Sequence, residues 1–365
     1  MQNTLLSIES SCDETAVSII KVKKNAEGQI ISLNILAHEV ESQMESHAPF
    51  GGVVPEVAAR DHLAKIYEIA NKALQVSRLK KSDLSAIAVT MGPGLIGALM
   101  VGVLFARGLA MALNIPLISV NHVDAHLAPA LLLKQFSPKD DLRAWHDVDT
   151  ITYPALALTV SGGHCHLSLL NSPTDRTILG KSLDDACGEA FDKVAKLLGM
   201  SYPGGPLIEE LAKQAEKSGN INEFTFPNKP ANKENRYNFS YSGIKTSVME
   251  TIRKETGIKK GKITGKDLSK EKKQGIAYAF QNAALSQLLN RVENALQDYP
   301  EIKSVLVAGG VAQNKKFRAL FSKLNKPTYF APPSLCSDNA TMIALQAALS
   351  ENAEGFIQHP FAKYH

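Results

Sequence analysis

The stretch Pro116-Leu-Ile-Ser-Val120 is typical of a buried strand, and it leads directly into Asn121-His122-Val123-Asp124-Ala125-His126. If residues 122–126 are helical, the two imidazoles are four positions apart and lie on one helix face, with about 5 to 6 Å between their Cβ atoms. Imidazole binds zinc or iron at about 2.0 to 2.1 Å, and a carboxylate from elsewhere would complete a site that keeps an open position for substrate. The pair therefore predicts either a metal site or two histidines that line a core.

The residue after the first histidine bears on the class of enzyme. A metallopeptidase helix carries Glu at this position as its general base. Here the position is Val123, so peptide hydrolysis by that mechanism is disfavoured.

Outward from this stretch, the chain alternates between strand and helix patterns in two rounds. In each round, apolar runs joined by short turns predict an antiparallel meander, and longer runs at helical spacing then separate further strands. The first round has predicted strands at 4–9, 16–22, 30–40, 85–90 and 116–120, with helices at 56–75 and 95–113. The second has strands at 155–160, 164–170, 177–181, 304–308 and 328–331, with helices at 184–198, 206–217, about 274–297, 313–324 and 337–350. The pattern predicts an α/β protein with a duplicated architecture of a β-meander followed by βαβα units.

Length and charge predict how the chain is divided. A chain of 365 residues is longer than one ordinary core supports, so two lobes are expected. The polar, Pro-flanked region 143–152 marks the boundary, which gives lobes at residues 1–142 and 143–338, and a C-terminal helix at about 339–365 is expected to pack back on the first lobe. The segment 229–273 holds thirteen Lys or Arg against five Asp or Glu, a local +8 in a chain of net charge +4. This insertion is typical of either a surface for a phosphate-rich partner or a solvated loop.

Cysteine usage and hydropathy predict a cytoplasmic location. Four cysteines are scattered without a Cys-x-x-Cys spacing, which disfavours a zinc knuckle or a disulfide framework. The most apolar run, residues 95–106, ends at Arg107 and is short for a membrane span, so it predicts a buried helix and no membrane association.

Glycine pairs at strand and helix ends are candidate phosphate-binding turns, because a backbone without side chains approaches an anion closely. There are three: Thr159-Val160-Ser161-Gly162-Gly163, Pro203-Gly204-Gly205, and Gly309-Gly310 with Asn314 on the first turn of the next helix. Together they favour nucleotide binding. Neither a Walker loop nor a Gly-x-Gly-x-x-Gly motif is present, which argues against those two nucleotide-binding classes.

Four acidic residues are further candidates. Asp13 and Glu14 lie at the predicted tip of the first hairpin, as solvated charges or as a functional site. Asp338 is predicted just inside a helix with Ser337 as its cap, as a favourable first-turn acid or as the carboxylate that joins the two histidines. Asp192, beside Lys193, would by itself be a surface pair.

The chain contains eight ordered motifs, namely Glu9-Ser-Ser-Cys-Asp-Glu-Thr15, Asn121-His-x-x-x-His126, Val160-Ser-Gly-Gly-His164, Gly188-Glu-Ala-Phe-Asp-Lys193, Tyr202-Pro-Gly-Gly-Pro206, Phe239-Ser-Tyr-Ser-Gly-Ile-Lys-Thr246, Gly309-Gly-Val-Ala-Gln-Asn314 and Cys336-Ser-Asp-Asn-Ala340. Taken together, and from about residue 4 to 350, the chain resembles the universal tRNA adenosine threonylcarbamoyltransferase family, formerly called glycoprotein endopeptidases, in its bacterial and organellar branch.

The resemblance implies a two-lobed actin-like and sugar-kinase-like fold with a nucleotide cleft between the lobes. It implies transfer of the threonylcarbamoyl group from threonylcarbamoyl-AMP to N6 of the adenine 3′ of the anticodon, in tRNAs that read ANN codons. His122, His126 and Asp338 match the ligands of one divalent ion, Fe²⁺ or Zn²⁺. Residues 159–163, Asp192, Gly205 and Asn314 match adenylate-binding positions.

The resemblance also implies a catalytic role for Asp13, with Glu14 as the other candidate proton acceptor. The sequence departs from the family pattern at Glu209, where some relatives have an aspartate that contacts the ribose of the nucleotide. The implied partners are tRNA, threonylcarbamoyl-AMP, a catalytically degenerate paralogue of the same fold and a small ATPase. A small-molecule kinase and a non-catalytic scaffold of the same fold are the alternatives, and a His pair is a poor site for the Mg²⁺ of a kinase.

Overall fold

The computed structural model describes residues 2–133, 141–148, 151–173, 175–227, 234–258, 261 and 263–350. The chain divides into two compact units at Ile151/Thr152 and again at Thr328/Tyr329. The first unit contains the residues before Thr152 and those from Tyr329 onward, so Asp338 belongs to it. Residues 351–365, the last part of the expected C-terminal helix, lie outside the described residues.

The first unit is built on a six-stranded sheet with the order β5-β4-β1-β2-β3-β6. Its strands and helices, in chain order, are β1 (Gln2–Glu9), β2 (Glu14–Lys24), β3 (Ile30–Ser42), α1 (Met44–His47), α2 (Pro55–Ser77), β4 (Ala86–Gly92), α3 (Ile96–Leu113), β5 (Leu117–Asn121), α4 (His122–Ala125), α5 (Ala128–Leu132) and β6 (Trp145–Asp147). The first three strands are antiparallel, and β4 and β5 continue the sheet in parallel from β1. Within the polar region 143–152, which the sequence predicts as the boundary between the lobes, β6 pairs with β3.

The second sheet repeats this plan with the order β11-β10-β7-β8-β9. Its elements are β7 (Ala155–Val160), β8 (Cys165–Leu170), β9 (Arg176–Lys181), α6 (Cys187–Leu197), α7 (Gly204–Ser218), α8 (Ser242–Thr256), α9 (Lys270–Asp298), β10 (Ser304–Ala308), a 3-10 helix (Gly310–Gln313), α10 (Lys315–Phe321) and β11 (Thr328–Phe330). The meander β7-β8-β9 is antiparallel, and β10 joins β7 in parallel. The duplicated α/β architecture predicted from the sequence is therefore confirmed.

The last described helix, α11 (Ala340–Leu349), returns to the first sheet. Leu6 and Ile8 of β1 face the core under α2 and α3, so the alternating Ser7 points to the opposite face. There the Ser7 hydroxyl donates to the carbonyl of Ala340 at 2.6 Å, and Ser18 and Thr341 hydroxyls are 2.8 Å apart. These buried hydrogen bonds fix the start of α11, and with it Asp338, against the first sheet.

Helix α3 has one buried and one exposed apolar face. Among the described residues it is the one helix long and apolar enough to cross a membrane, which by itself is weak evidence, and a third of it is buried. Val103, Ala106 and Ala110 pack into the core with α2 and β4, so the helix is buried on this face, whereas the sequence predicted a buried helix. The opposite face exposes large apolar side chains, namely Ile96, Met100, Leu104 and Met111, and α2 exposes Leu63 and Tyr67.

His166 on β8 makes the stability of the second unit depend on pH. Burial, with the nearby charges of Arg176 and Lys181, lowers the pKa of His166 from 6.5 to about 4. The unfolded chain therefore binds this proton more readily between pH 6.5 and 4, so the stabilisation present above pH 6.5 is lost as the pH falls. We expect wild type to lose about 3 kcal/mol of unfolding free energy across this window and His166→Gln to lose less.

Denaturant unfolding at several pH values measures this difference. The control is His146→Gln, a partly exposed histidine of the first unit. Equal pH slopes for wild type and His166→Gln would show that His166 does not carry the effect.

Candidate metal centre and nucleotide-binding turns

The carboxyl ends of three neighbouring parallel strands bring together the first group of candidate residues. Glu9 ends β1, Thr90 lies near the end of β4, and Asn121 ends β5. Ligands of α/β sheets commonly bind at this edge. The Asn121 side chain caps α4 by accepting hydrogen bonds from the backbone N–H groups of Val123 and Asp124, at 2.9 and 3.2 Å.

This cap places the two histidines on one helical turn. His126 follows α4 in right-handed helical geometry, and the ring centroids of His122 and His126 are 4.8 Å apart. Asp338 Oδ1 lies 3.6 Å from His122 Nε2 and 3.3 Å from His126 Nε2. One ligand atom from each of the three residues lies within 4.8 Å of the others, so the structure joins the predicted trio.

A buried carboxylate orients His122. Glu9 is fully buried, and its Oε2 lies 3.1 Å from His122 Nδ1. The same carboxylate accepts hydrogen bonds from the backbone N–H of Ser11 and the hydroxyl of Thr90, both at 2.6 Å. With Nδ1 held by Glu9, Nε2 of His122 is turned toward Asp338. A carboxylate–histidine pair of this kind is the usual outer support of a metal-binding imidazole.

Electrostatics indicate that this place stabilises a positive charge. Burial alone would lower the pKa of His122, yet the charges of Asp338 and Glu9 raise it to about 9. Burial likewise opposes ionisation of Glu9, but the His122 imidazole lowers its pKa below the usual value. His126 is buried, and neither of its ring nitrogens has a hydrogen-bond partner among the described residues. Two buried imidazoles surrounded by carboxylates, with the ring nitrogens of His126 left without a hydrogen-bond partner in the described part of the chain, are a donor set that fits a zinc- or iron-like ion.

Glu9→Gln tests this outer support. The amide keeps the size of the side chain but loses the charge that fixes His122, so we expect zinc affinity to fall about 10- to 100-fold. Chelator competition at fixed pH measures the affinity. Glu41→Gln, which changes an exposed carboxylate of β3, is the matched control. Unchanged affinity in Glu9→Gln would assign Glu9 to folding alone.

The predicted acidic pair is not a solvated hairpin tip. Asp13 is only 7% exposed, and its carbonyl accepts a hydrogen bond from the Gln43 backbone N–H at 2.8 Å. Beside it, the carbonyl of Cys12 lies 3.0 Å from Nε2 of the buried His62. Burial, reinforced by the negative charges of Asp338 and Asp13, raises the pKa of Glu14 well above its usual value. The turn therefore holds a carboxyl group that keeps its proton to a higher pH than a solvated glutamate does.

One glycine lets this turn approach α3. A Cβ on Gly94 would lie 2.6 Å from the carbonyl oxygen of Ser11. In its absence, the backbone N–H of Leu95 donates to that same oxygen at 2.8 Å. The Gly94 position is thus needed for the close packing that holds the segment after Glu9.

In the second unit, the turn at residues 161–163 lies against two other glycines. The backbone N–H of Gly188, at the start of α6, donates to the carbonyl of Ser161 at 3.2 Å. Gly309 has φ +94°, and a Cβ there would lie 2.3 Å from the carbonyl oxygen of Val160. The end of β7, with Thr159 and Val160, therefore meets α6 and the 3-10 helix, and Gly162 and Gly163 have open space where a Cβ would project.

The other predicted nucleotide-binding residues continue along α6, α7 and α10. Asp192 accepts a hydrogen bond from the Gly204 backbone N–H at 2.7 Å, which fixes the start of α7 beside Gly205. Glu209 accepts from the Lys315 backbone N–H at 2.8 Å. By itself, Asp192 was expected to form a surface pair with Lys193, and that interpretation is wrong. The Asp192 carboxylate instead joins α6 to the start of α7.

Two predicted helix starts are corrected. Asn314 was expected on a first helical turn, but it is the N-cap of α10 and accepts from the Phe317 N–H at 3.0 Å. Asp338 was expected inside a helix capped by Ser337, whereas Asn339 is the cap and accepts from the Met342 N–H. Asp338 therefore precedes α11, where its carboxylate is not committed to the first helical turn.

Sequence reasoning missed several functional candidates. Neither Glu9, the first residue of one motif, nor Thr90 had been given a role in the site, although a carboxylate at the end of an apolar strand is itself a signal. Helix α8 was missed inside the basic insertion, where buried Ile244, Val248 and Ile252 recur at a spacing of four.

All four cysteines are free thiols, in agreement with the absence of a disulfide framework.

Comparison with known proteins adds the family. Residues 34–345 match the family model described as tRNA N6-adenosine threonylcarbamoyltransferase. Curated proteins of that name are similar: one from Chlamydia pneumoniae is 42% identical over 93% of this chain and 89% of its own, and one from Chromobacterium violaceum is 39% identical over 98% and 96%. One from Bacillus subtilis is 40% identical over 95% and 90%.

Among solved structures, YeaZ from Pseudomonas aeruginosa is similar over 48% of this chain and 67% of that one, with 16% identity and a TM-score of 0.29. The family model covers well over half of the chain and includes both candidate histidines, Asp338 and the glycine turns. This chain belongs to the tRNA N6-adenosine threonylcarbamoyltransferase family.

Proposed function

We propose that this protein transfers the threonylcarbamoyl group from threonylcarbamoyl-AMP to N6 of the adenine 3′ of the anticodon, in tRNAs that read ANN codons, and releases AMP. Membership of the family makes it a transferase that acts on tRNA. The observation that carries the proposal is the convergence of His122, His126 and Asp338, with Glu9 behind them. These groups would hold an ion that acts as a Lewis acid, and Asp13 and Glu14 are the carboxyl groups that accept a proton.

The reaction requires an activated acyl donor, because an exocyclic adenine amine is a weak nucleophile. A divalent ion held by His122, His126 and Asp338 would supply charge stabilisation to oxygens of the adenylate. Glu14, with Asp13 beside it, accepts the proton that the amine loses as its nitrogen bonds to the carbamoyl carbon. The bond from that carbon to the phosphate oxygen breaks, and AMP leaves with the bonding electrons.

We assign AMP binding to residues 159–163, Asp192, Gly205, Glu209 and Asn314. What supports this is that the open glycines of the first turn accept a close ligand, and that hydrogen bonds link the other residues to α6, α7 and α10. The carboxylate of Glu209 already accepts from the Lys315 N–H, so this longer side chain reaches across to α10. The ion is proposed to be Fe²⁺ or Zn²⁺, because imidazole nitrogens suit both better than Mg²⁺.

We further propose that the protein acts in the cytoplasm with a catalytically degenerate paralogue of its own fold and a small ATPase. The exposed apolar side chains of α2 and α3 support association with another chain, because such surfaces mark interaction sites. The net charge of +8 in the insertion 229–273, which contains α8 and the start of α9, supports contact with tRNA phosphates.

Mass spectrometry of tRNA nucleosides tests the function. Purified protein with the paralogue, the ATPase, threonine, bicarbonate, ATP and an enzyme that makes the adenylate is expected to convert adenosine to threonylcarbamoyladenosine. His122→Ala is expected to abolish the product, and His146→Ala, in the same unit but outside the cluster, to retain it. Unmodified tRNA from the complete wild-type mixture would refute the assignment. Metal analysis of protein purified without oxygen decides between iron and zinc.

A further inference from the structure

A cavity of about 480 Å³ lies between α6 and α8 of the second unit. Three lysines line it, namely Lys193, Lys196 and Lys245, and its apolar lining comes from Leu197, Met249 and Ile263. This volume falls within the range of about 300 to 1,000 Å³ that is typical of small-molecule sites. The cavity therefore combines room for a planar ring with several cationic groups.

The lysines are organised by carboxylates that do not fully neutralise them. Asp185 contacts Lys193 through Oδ1 and Lys245 through Oδ2, each at 2.5 Å, and Glu189 lies 2.8 Å from Lys193. Although partial burial opposes it, hydrogen bonds from these two lysines lower the pKa of Asp185. Lys196 is exposed and forms no ion pair with any described residue. Among the described charged side chains at the cavity, three lysines against two carboxylates leave one positive charge.

A single excess positive charge at the cavity is matched by an anion that carries one negative charge. A phosphodiester carries a single negative charge, whereas a terminal phosphate carries about 1.5 to 2 at neutral pH. The apolar side chains of Leu197, Met249 and Ile263 suit the face of a nucleobase. A nucleotide within an RNA chain presents both features together, which a free phosphate does not.

The cavity is separate from the candidate adenylate residues on α6. Asp192 and Ala195 face α7, because a Cβ on Gly204 would lie 2.5 Å from the Ala195 Cβ and 2.8 Å from the Asp192 Cα. Lys193, Lys196 and Leu197 lie on the side of α6 that faces α8. The cavity and the contact with Gly204 therefore lie on two different faces of α6.

We propose that this cavity binds one phosphodiester-linked nucleotide of the tRNA substrate, with its phosphate at Lys196 and Lys245 and its base against the apolar lining. The inference rests on the proposed function, because that function supplies RNA as the substrate. It assigns α6 a second role, in which the side facing α8 holds RNA while Asp192 holds the start of α7.

Fluorescence anisotropy with labelled tRNA at several salt concentrations tests this assignment. Lys196→Met removes a phosphate partner, so tRNA is expected to bind about 5-fold or more weakly, with a salt slope shallower by about 1. Thr246→Trp fills the cavity from α8 without changing its charge. It is expected to weaken binding as well, with the salt slope unchanged. Lys303→Met, an exposed lysine of the second unit outside the cavity, is the control.

The outcomes separate the sources of the ligand. The proposal is overturned if Lys196→Met and Thr246→Trp bind tRNA as tightly as Lys303→Met does, and if all three variants have the same thermal unfolding midpoint. It is also overturned if calorimetry shows that Thr246→Trp loses free AMP binding and keeps tRNA binding, because the cavity would then hold a free nucleotide. Failure of the wild type to modify tRNA in the complete mixture would refute the proposed function, and tRNA binding that depends on Lys196 would still support this site.

Discussion

Asp338→Ala protein is expected to bind zinc more than about 100-fold more weakly than wild type and to form no measurable threonylcarbamoyladenosine. Loss of a residue that only contacts a metal ligand typically lowers metal affinity about 10- to 100-fold. Asp338 is itself a candidate ligand, so its loss is expected to cost more. Its Oδ1 is the one carboxylate oxygen within 3.6 Å of the Nε2 atoms of both His122 and His126 among the described residues. Chelator competition measures affinity, and nucleoside mass spectrometry measures activity.

Two controls keep this prediction specific. Asp141→Ala removes an exposed carboxylate in the same unit and is expected to keep both metal and activity. Thermal unfolding of the metal-free proteins shows whether Asp338→Ala still folds. A folded Asp338→Ala protein with wild-type zinc affinity would mean that the histidine pair does not share an ion with Asp338.

Glu14→Gln is expected to lower kcat by about 100- to 10,000-fold, the usual contribution of a general base, while zinc affinity stays within a few-fold of wild type. Among the candidate bases, Glu14 is the carboxyl whose pKa burial and neighbouring carboxylates raise well above the usual value. A raised pKa makes its carboxylate the stronger proton acceptor. Asp13→Asn, the adjacent matched variant, is expected to lose less activity.

Stability distinguishes this catalytic role from a structural one. A buried acid with a raised folded-state pKa binds its proton more tightly in the folded protein, so its contribution to stability falls as the pH rises above the unfolded value of 4.5. Gln removes that cost, and metal-free Glu14→Gln is expected to be at least as stable as wild type at pH 8. A destabilised variant, or one within about 10-fold of wild-type kcat, would argue against Glu14 as the base.

Features that depend on residues close together in the sequence were predicted more accurately than features that depend on contacts between distant segments. The spacing of His122 and His126 is a property of one helical turn, so the primary sequence predicts that they are neighbours. Alternating apolar runs likewise predicted both meanders and the duplication. The N-caps were less certain, because Ser337 and Asn339 are equally good caps by type, and only the path of the chain into α11 selects Asn339.

The sequence alone determined most strands and helices of both units, the histidine pair and, through its eight motifs, the family. These depend on local periodicity and on residue order, which need no knowledge of distant contacts. Only the tertiary structure decided that Glu9 stands behind His122, how close Asp338 comes to the pair, and that three lysines meet around one cavity. The reason is that strand crossovers and the packing of α11 bring together residues far apart along the chain, and burial and neighbouring charges then shift their pKa values.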